Sequence, residues 1–200
     1  DSSKTVFAQQ TDIREALQLL LEENPEEIHL VVVGNENQKR MLANLGIYTT
    51  LVNGAALPVR KKKPNRESLS SITLHGYKDP DTFTLLHAQA EGNLLARGLT
   101  VLPPNELTPG TYREQIKKLA ANEGWEFQEY NLNTLREMGA GAFVAVAQGS
   151  DPEDAAVIHL QRRVSSNRTD KTVALVGKGI CFDTGGYNLK TPRYMHGMHE

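Results

Sequence analysis

Residues 172–190, TVALVGKGICFDTGGYNLK, constrain this chain more than any other stretch. Val173, Ala174, Leu175 and Val176 form a short apolar run of the kind carried by a strand buried on both faces. The run breaks at Gly177-Lys178-Gly179, resumes through Ile180-Cys181-Phe182, and breaks again at Asp183-Thr184-Gly185-Gly186. Glycine at this density marks backbone that takes positive φ or passes close to another group. A charged side chain beside a buried strand must be paired or must bind a metal, because an isolated buried charge is too costly. The stretch therefore predicts a strand and then a tight loop. Lys178 and Asp183 either pair with each other there, with Lys190 on a solvated loop, or are presented to a cation. A phosphate loop does not fit, because Walker A needs a further glycine upstream and Ser or Thr after the lysine.

The order of these residues goes further. VGKGICFDTGGYNLK resembles the signature of the leucine aminopeptidase (cytosol aminopeptidase) family of two-metal aminopeptidases and fits it at every fixed position. Cys181 and Thr184 stand where the family commonly has Thr and Ser. The run MGAGAFVAVAQGS at 138–150, with Pro104, Asn105, Thr108 and Pro109 upstream, extends the likeness over roughly 88–200. The resemblance implies that Lys178 and Asp183 are ligands of two divalent metal ions, Zn²⁺ or Mn²⁺ or alternatively Mg²⁺. It implies that Lys190 stays cationic and stabilises the oxygen that gains charge on the substrate. A lysine amine binds metal only after losing its proton, so such binding depends on pH. Met198 resembles the residue that lines the pocket for the substrate's first side chain, with ordinary core packing as the plain alternative. The family's remaining ligands fall beyond Glu200. The resemblance thus implies a longer protein cut inside its site, and a 200-residue piece inactive on its own.

Rival site chemistries are weaker. His196, His199 and Glu200 run His-x-x-His-Glu, which matches neither the zincin order nor its inverse, so they stay out of the predicted metal site. No histidine is placed beside Cys181 to activate it as a nucleophile, and a small buried residue under the loop is the expectation. Residues 60–66, RKKKPNR, carry five positive charges, but no aromatic lies among them and the chain's net charge is −2. A solvated loop is expected there, not a nucleic-acid patch. One cysteine excludes an internal disulfide framework, and no apolar run approaches the ~20 residues of a membrane span. The start lacks the regions of a signal peptide, and cytoplasm is the default expectation.

Along the chain, Asp12 is a predicted helix cap before Ile13, Ala16, Leu17, Leu20 and Leu21, and 28–33 is a predicted strand. Asn35 is a predicted cap for a second helix ending at Gly46, followed by a strand within 51–59 and another within 68–75. A long helix is expected to open at Asp79 and run to Arg97. Further expectations are a helix over 112–122, a strand over 126–130, a short helix over 135–138 capped by Asn133, and strands at 142–147, 156–161 and 172–176. This alternation predicts an α/β fold of two domains with mixed, largely parallel sheets. The expected division is a small N-terminal α/β domain over 1–78, a linker helix over 79–98, and the truncated N-terminal part of a catalytic α/β domain over 99–200.

The function implied by the resemblance is metal-dependent release of N-terminal, leucine-type residues from peptides by metal-activated water. Peptides are the implied substrates and a homo-hexamer the implied assembly. The alternative is a catalytically incompetent relative acting as a scaffold or DNA-binding protein.

Overall fold

The structure is a computed structural model that describes residues 4–60, 67–81, 83–163 and 172–196. The chain is α/β and divides into two compact units, Asp1–Val101 and Leu102–Glu200.

In the first unit, helix α1 (Val6–Leu21) starts at Thr5, whose hydroxyl accepts from the Ala8 N–H at 3.2 Å. The expected cap, Asp12, lies inside the helix, where its carboxylate instead receives Lys4 Nζ at 2.5 Å. Strand β1 (Glu27–Val31) pairs in parallel with β2 (Ser71–His75), with Ile28 opposite Ile72 and Leu30 opposite Leu74. Alternation sets the faces. Ile28 is buried with Leu17 and Leu21, and Leu30 and Leu69 pack against this cluster. Each such side chain is worth about 1.5–3 kcal/mol of burial, which is what holds so short a sheet to its helix.

Helix α2 (Glu36–Gly54) opens on a reciprocal capping box: Gln38 N–H donates to Asn35 Oδ1 and Asn35 N–H to Gln38 Oε1, each at 3.0 Å. Removing such a cap costs about 1 kcal/mol. The helix runs through Gly46, the expected stop, and consumes the start of the strand expected within 51–59. Packing explains the glycine. A Cβ there would stand 3.3 Å from Leu30 Cδ1, so Gly46 lets the helix approach the sheet. Helix α3 (Thr84–Thr100) packs on α2, and Arg97 Nη1 donates to the Val52 carbonyl at 2.6 Å.

In the second unit, helix α4 (Pro109–Glu123) begins with proline in its first turn and a Thr108–Thr111 capping box, and stops at Gly124. Strand β3 (Glu126–Asn131) pairs antiparallel with β4 (Ala156–Gln161), with Phe127 opposite Leu160 and Tyr130 opposite Val157. Helix α5 (Leu132–Glu137) is capped by Asn131, not by the expected Asn133. Residues 142–147, expected as a strand, lie in helix α6 (Gly141–Ala147). A short apolar run carries no period that separates buried strand from buried helix. Arg113 pairs with Glu129 at 2.7 Å and ties α4 to β3. Arg136 pairs with Glu153, linking α5 to the segment before β4.

The expected strand at 172–176 is absent. These residues are irregular, and Leu175 and Val176 are 92% and 100% exposed. Strand geometry needs a partner ladder for its N–H and C=O groups, and among the described residues no strand pairs with this run. A short helix α7 (Pro192–Met195) follows the loop.

A candidate metal centre on the glycine loop

The loop at 177–190 lies in the second unit, and α4 and the segment before β4 supply its surroundings. A Cβ on Gly179 would meet Tyr112 Cε1 at 3.5 Å, so the loop passes against the first turn of α4. In the same turn the Gly110 N–H donates to Asp154 Oδ2 at 2.7 Å. Asp154 thus occupies the positive end of a 15-residue helix, a favourable place for a carboxylate. Cys181 is half-buried. Burial, and then the Asp154 charge, push its thiol above the usual range. A protonated thiol is a poor nucleophile, so the structure leaves Cys181 as packing.

Asp183 is the centre of the loop. Its Oδ1 accepts the Gly185 N–H at 2.9 Å and its Oδ2 accepts Lys190 Nζ at 3.1 Å. Lys190 Nζ also donates to the Asp183 carbonyl at 2.8 Å, and the Lys190 N–H donates to the Thr184 carbonyl at 2.9 Å. Seven residues apart in sequence, Asp183 and Lys190 are closed into one small ring of hydrogen bonds. The Gly185 N–H, then Lys190, and last the Lys178 charge hold the Asp183 carboxyl below the usual carboxylate range. It is therefore presented as an anion.

Two glycines make the ring possible. Gly185 has φ +91°, and a Cβ on it would fall 2.6 Å from the Asn188 carbonyl oxygen and 3.2 Å from Lys190 Cγ. Gly186 has φ +70° in open space. Only glycine takes the first position without displacing backbone.

Of the residues singled out from sequence, Lys190 and Asp183 are in direct contact, and the Lys178 charge acts on the same carboxylate. Lys178 and Asp183 are exposed, whereas Lys190 is partly covered. His196 is exposed, while Met198, His199 and Glu200 lie outside the described residues, as do 61–66 of the basic run. A carboxylate oxygen and an amine nitrogen suit Zn²⁺, Mn²⁺ or Mg²⁺, so both side chains fit as members of a donor set. Among the described residues no three His, Cys, Asp or Glu converge to complete one. Asp154 does not stand out in the sequence. Its one signal was an acidic cluster just before a strand, and that does not show which helix end it meets.

An open groove of about 640 Å³ in the first unit is lined by Gln10, Asn44, Tyr48, Gln89 and Asn93, with leucines. It gathers amides and a phenol but no acid–base pair, so the chemistry is placed at the loop. No described helix is long and apolar enough to cross a membrane.

Known proteins resemble this chain in sequence and in fold. A probable cytosol aminopeptidase of Prochlorococcus marinus (strain MIT 9312) is 38% identical over 132 residues, covering 65% of this chain and 26% of that protein. One from Syntrophobacter fumaroxidans is 32% identical over 162 residues, covering 79% of this chain and 32% of that protein. The chain thus spans about a quarter to a third of the length of these relatives. The apo leucyl aminopeptidase of Trypanosoma cruzi superposes with a TM-score of 0.76 at 23% identity, covering 97% of this chain and 37% of that one. The bottromycin maturation enzyme BotP, in complex with Mn, gives 0.73 at 24% identity, covering 96% and 40%. These two likenesses establish the fold. The profile of the cytosol aminopeptidase family, catalytic domain, matches residues 94–200. With more than half its length matched by that profile, the chain belongs to the cytosol aminopeptidase family.

Proposed function

We propose that the protein carrying this chain is a metal-dependent aminopeptidase that releases N-terminal, leucine-type residues from peptides. The observation that carries this reading is the Asp183 carboxylate, held anionic in a glycine loop with Lys190 on one side and the Lys178 charge nearby.

In this reading Lys178 and Asp183 hold divalent metal, Zn²⁺ or Mn²⁺ with Mg²⁺ as the alternative, as a pair of ions per subunit. When bound, such ions polarise the scissile carbonyl and lower the pKa of water. Lys190 supplies a fixed positive charge to the substrate carbonyl oxygen as that oxygen becomes anionic, an effect strongest in a water-poor site. Met198 lines the pocket for the first side chain. Residues 99–200 are the N-terminal part of the catalytic domain and 1–78 the smaller domain, with 79–98 the segment that joins them in sequence. A cytoplasmic homo-hexamer is the proposed assembly.

The test is hydrolysis of leucine amide by the full-length protein after chelation, and again after Mn²⁺ or Zn²⁺ is restored. Activity should vanish and return. Lys190→Ala should lower turnover far more than metal content, and turnover that survives it would refute the role given to Lys190.

A further inference from the structure

We propose that Lys190 is the stand-in cation of the metal-free site, occupying Asp183 until metal displaces it. The inference rests on the reading of Asp183 as a metal ligand and adds an exchange of partners that the family signature does not state.

The geometry is specific. Lys190 Nζ lies 3.1 Å from Asp183 Oδ2 and 2.8 Å from the Asp183 carbonyl, so the ammonium is chelated by one residue through side chain and backbone. The other carboxylate oxygen is committed to the Gly185 N–H at 2.9 Å. Both oxygens keep a lone pair, but Oδ2 is the one whose partner is a side-chain cation that a metal can replace, whereas Oδ1 holds a backbone N–H fixed by the loop. A cation arriving at Oδ2 meets an ammonium already in place, and two like charges at that separation repel. Lys190 must swing off the carboxylate as metal arrives. Its Nζ then leaves Asp183 and can turn toward a substrate oxygen. Metal loading and the arming of Lys190 are one event, and a site without metal holds its lysine out of action. The loop also explains why the exchange need not unfold the site. The Lys190 N–H stays on the Thr184 carbonyl at 2.9 Å, which anchors the backbone while the side chain moves.

The experiment is calorimetric titration of Mn²⁺ into the chelator-stripped full-length protein and its variants, with circular dichroism to confirm folding. An exposed ion pair is modest, so Lys190→Gln should bind Mn²⁺ about two- to fivefold more tightly than wild type. Lys190→Arg keeps the charge and should bind no more tightly than wild type. Asp183→Asn should bind much more weakly. If Asp183→Asn weakens binding but Lys190→Gln leaves it unchanged or weaker, the stand-in role is wrong and the metal assignment survives. If wild type takes up no Mn²⁺, or Asp183→Asn changes nothing, the metal assignment fails and the stand-in role with it.

Discussion

Gly185→Ala and Gly186→Ala are neighbouring changes of one methyl group, and the loop geometry assigns them different costs. At Gly186 the added Cβ meets nothing within 4 Å, so the cost is the left-handed backbone at φ +70° alone. For an L-residue that is about 1–2 kcal/mol. At Gly185 the backbone sits at φ +91° and the Cβ would stand 2.6 Å from the Asn188 carbonyl oxygen. Backbone cannot yield as a flexible side chain can, so the loop must open, at the upper end of the 1–3 kcal/mol typical of strained positions, or above it. Opening removes the Gly185 N–H from Asp183 Oδ1 and shifts Lys190, whose Cγ lies 3.2 Å from the same point. If only the closed loop binds metal, the apparent Kd rises by the inverse of the closed fraction. At 1.36 kcal/mol per decade, Gly186→Ala should weaken Mn²⁺ binding by at most about thirtyfold, and Gly185→Ala by more, up to about a hundredfold. Calorimetric titration of Mn²⁺ into both variants, folded by circular dichroism, measures this. Equal losses, or a larger loss at Gly186, would refute the claim that the Asn188 contact sets the shape of the site.

Two further expectations concern the first unit. Thr50 is fully buried and its Oγ1 has no hydrogen-bond partner, so Thr50→Val removes an uncompensated hydroxyl at nearly constant shape. A gain of about 1 kcal/mol, read as a urea midpoint raised by roughly 0.5 M, is expected, and a lowered midpoint would show the hydroxyl to be satisfied in solution. Glu27 accepts the Thr73 hydroxyl at 2.6 Å; Thr73 first, Ser71 next, and His29 after them hold its carboxyl below the usual range. A depressed native pKa adds stability that is present above the unfolded value and lost as pH falls through the native one. Glu27→Gln should therefore flatten the acid side of the stability–pH curve, and parallel curves for the two proteins would contradict that.

The site was the most legible part of the sequence. Gly177, Lys178, Gly179, Asp183, Gly185, Gly186 and Lys190 lie within fourteen residues, and local order alone brings them near one another. Asn35 marked the start of α2 for the same reason, because capping is decided by neighbours two to four residues away. The sequence by itself thus determined the α/β class, the start of α2 at Asn35, and a tight glycine loop around Lys178 and Asp183, while the Asp183–Lys190 contact came from the structure. Tertiary structure decided the rest. Gly46 reads as a helix stop until Leu30 is seen packed against it, and the apolar runs at 141–147 and 172–176 read alike. One became a helix and the other an exposed irregular segment, because an apolar run states only that it wants cover, while its conformation depends on which distant partners supply the hydrogen bonds. Asp154 reached the start of α4 from 44 residues away, a meeting that no local pattern could announce.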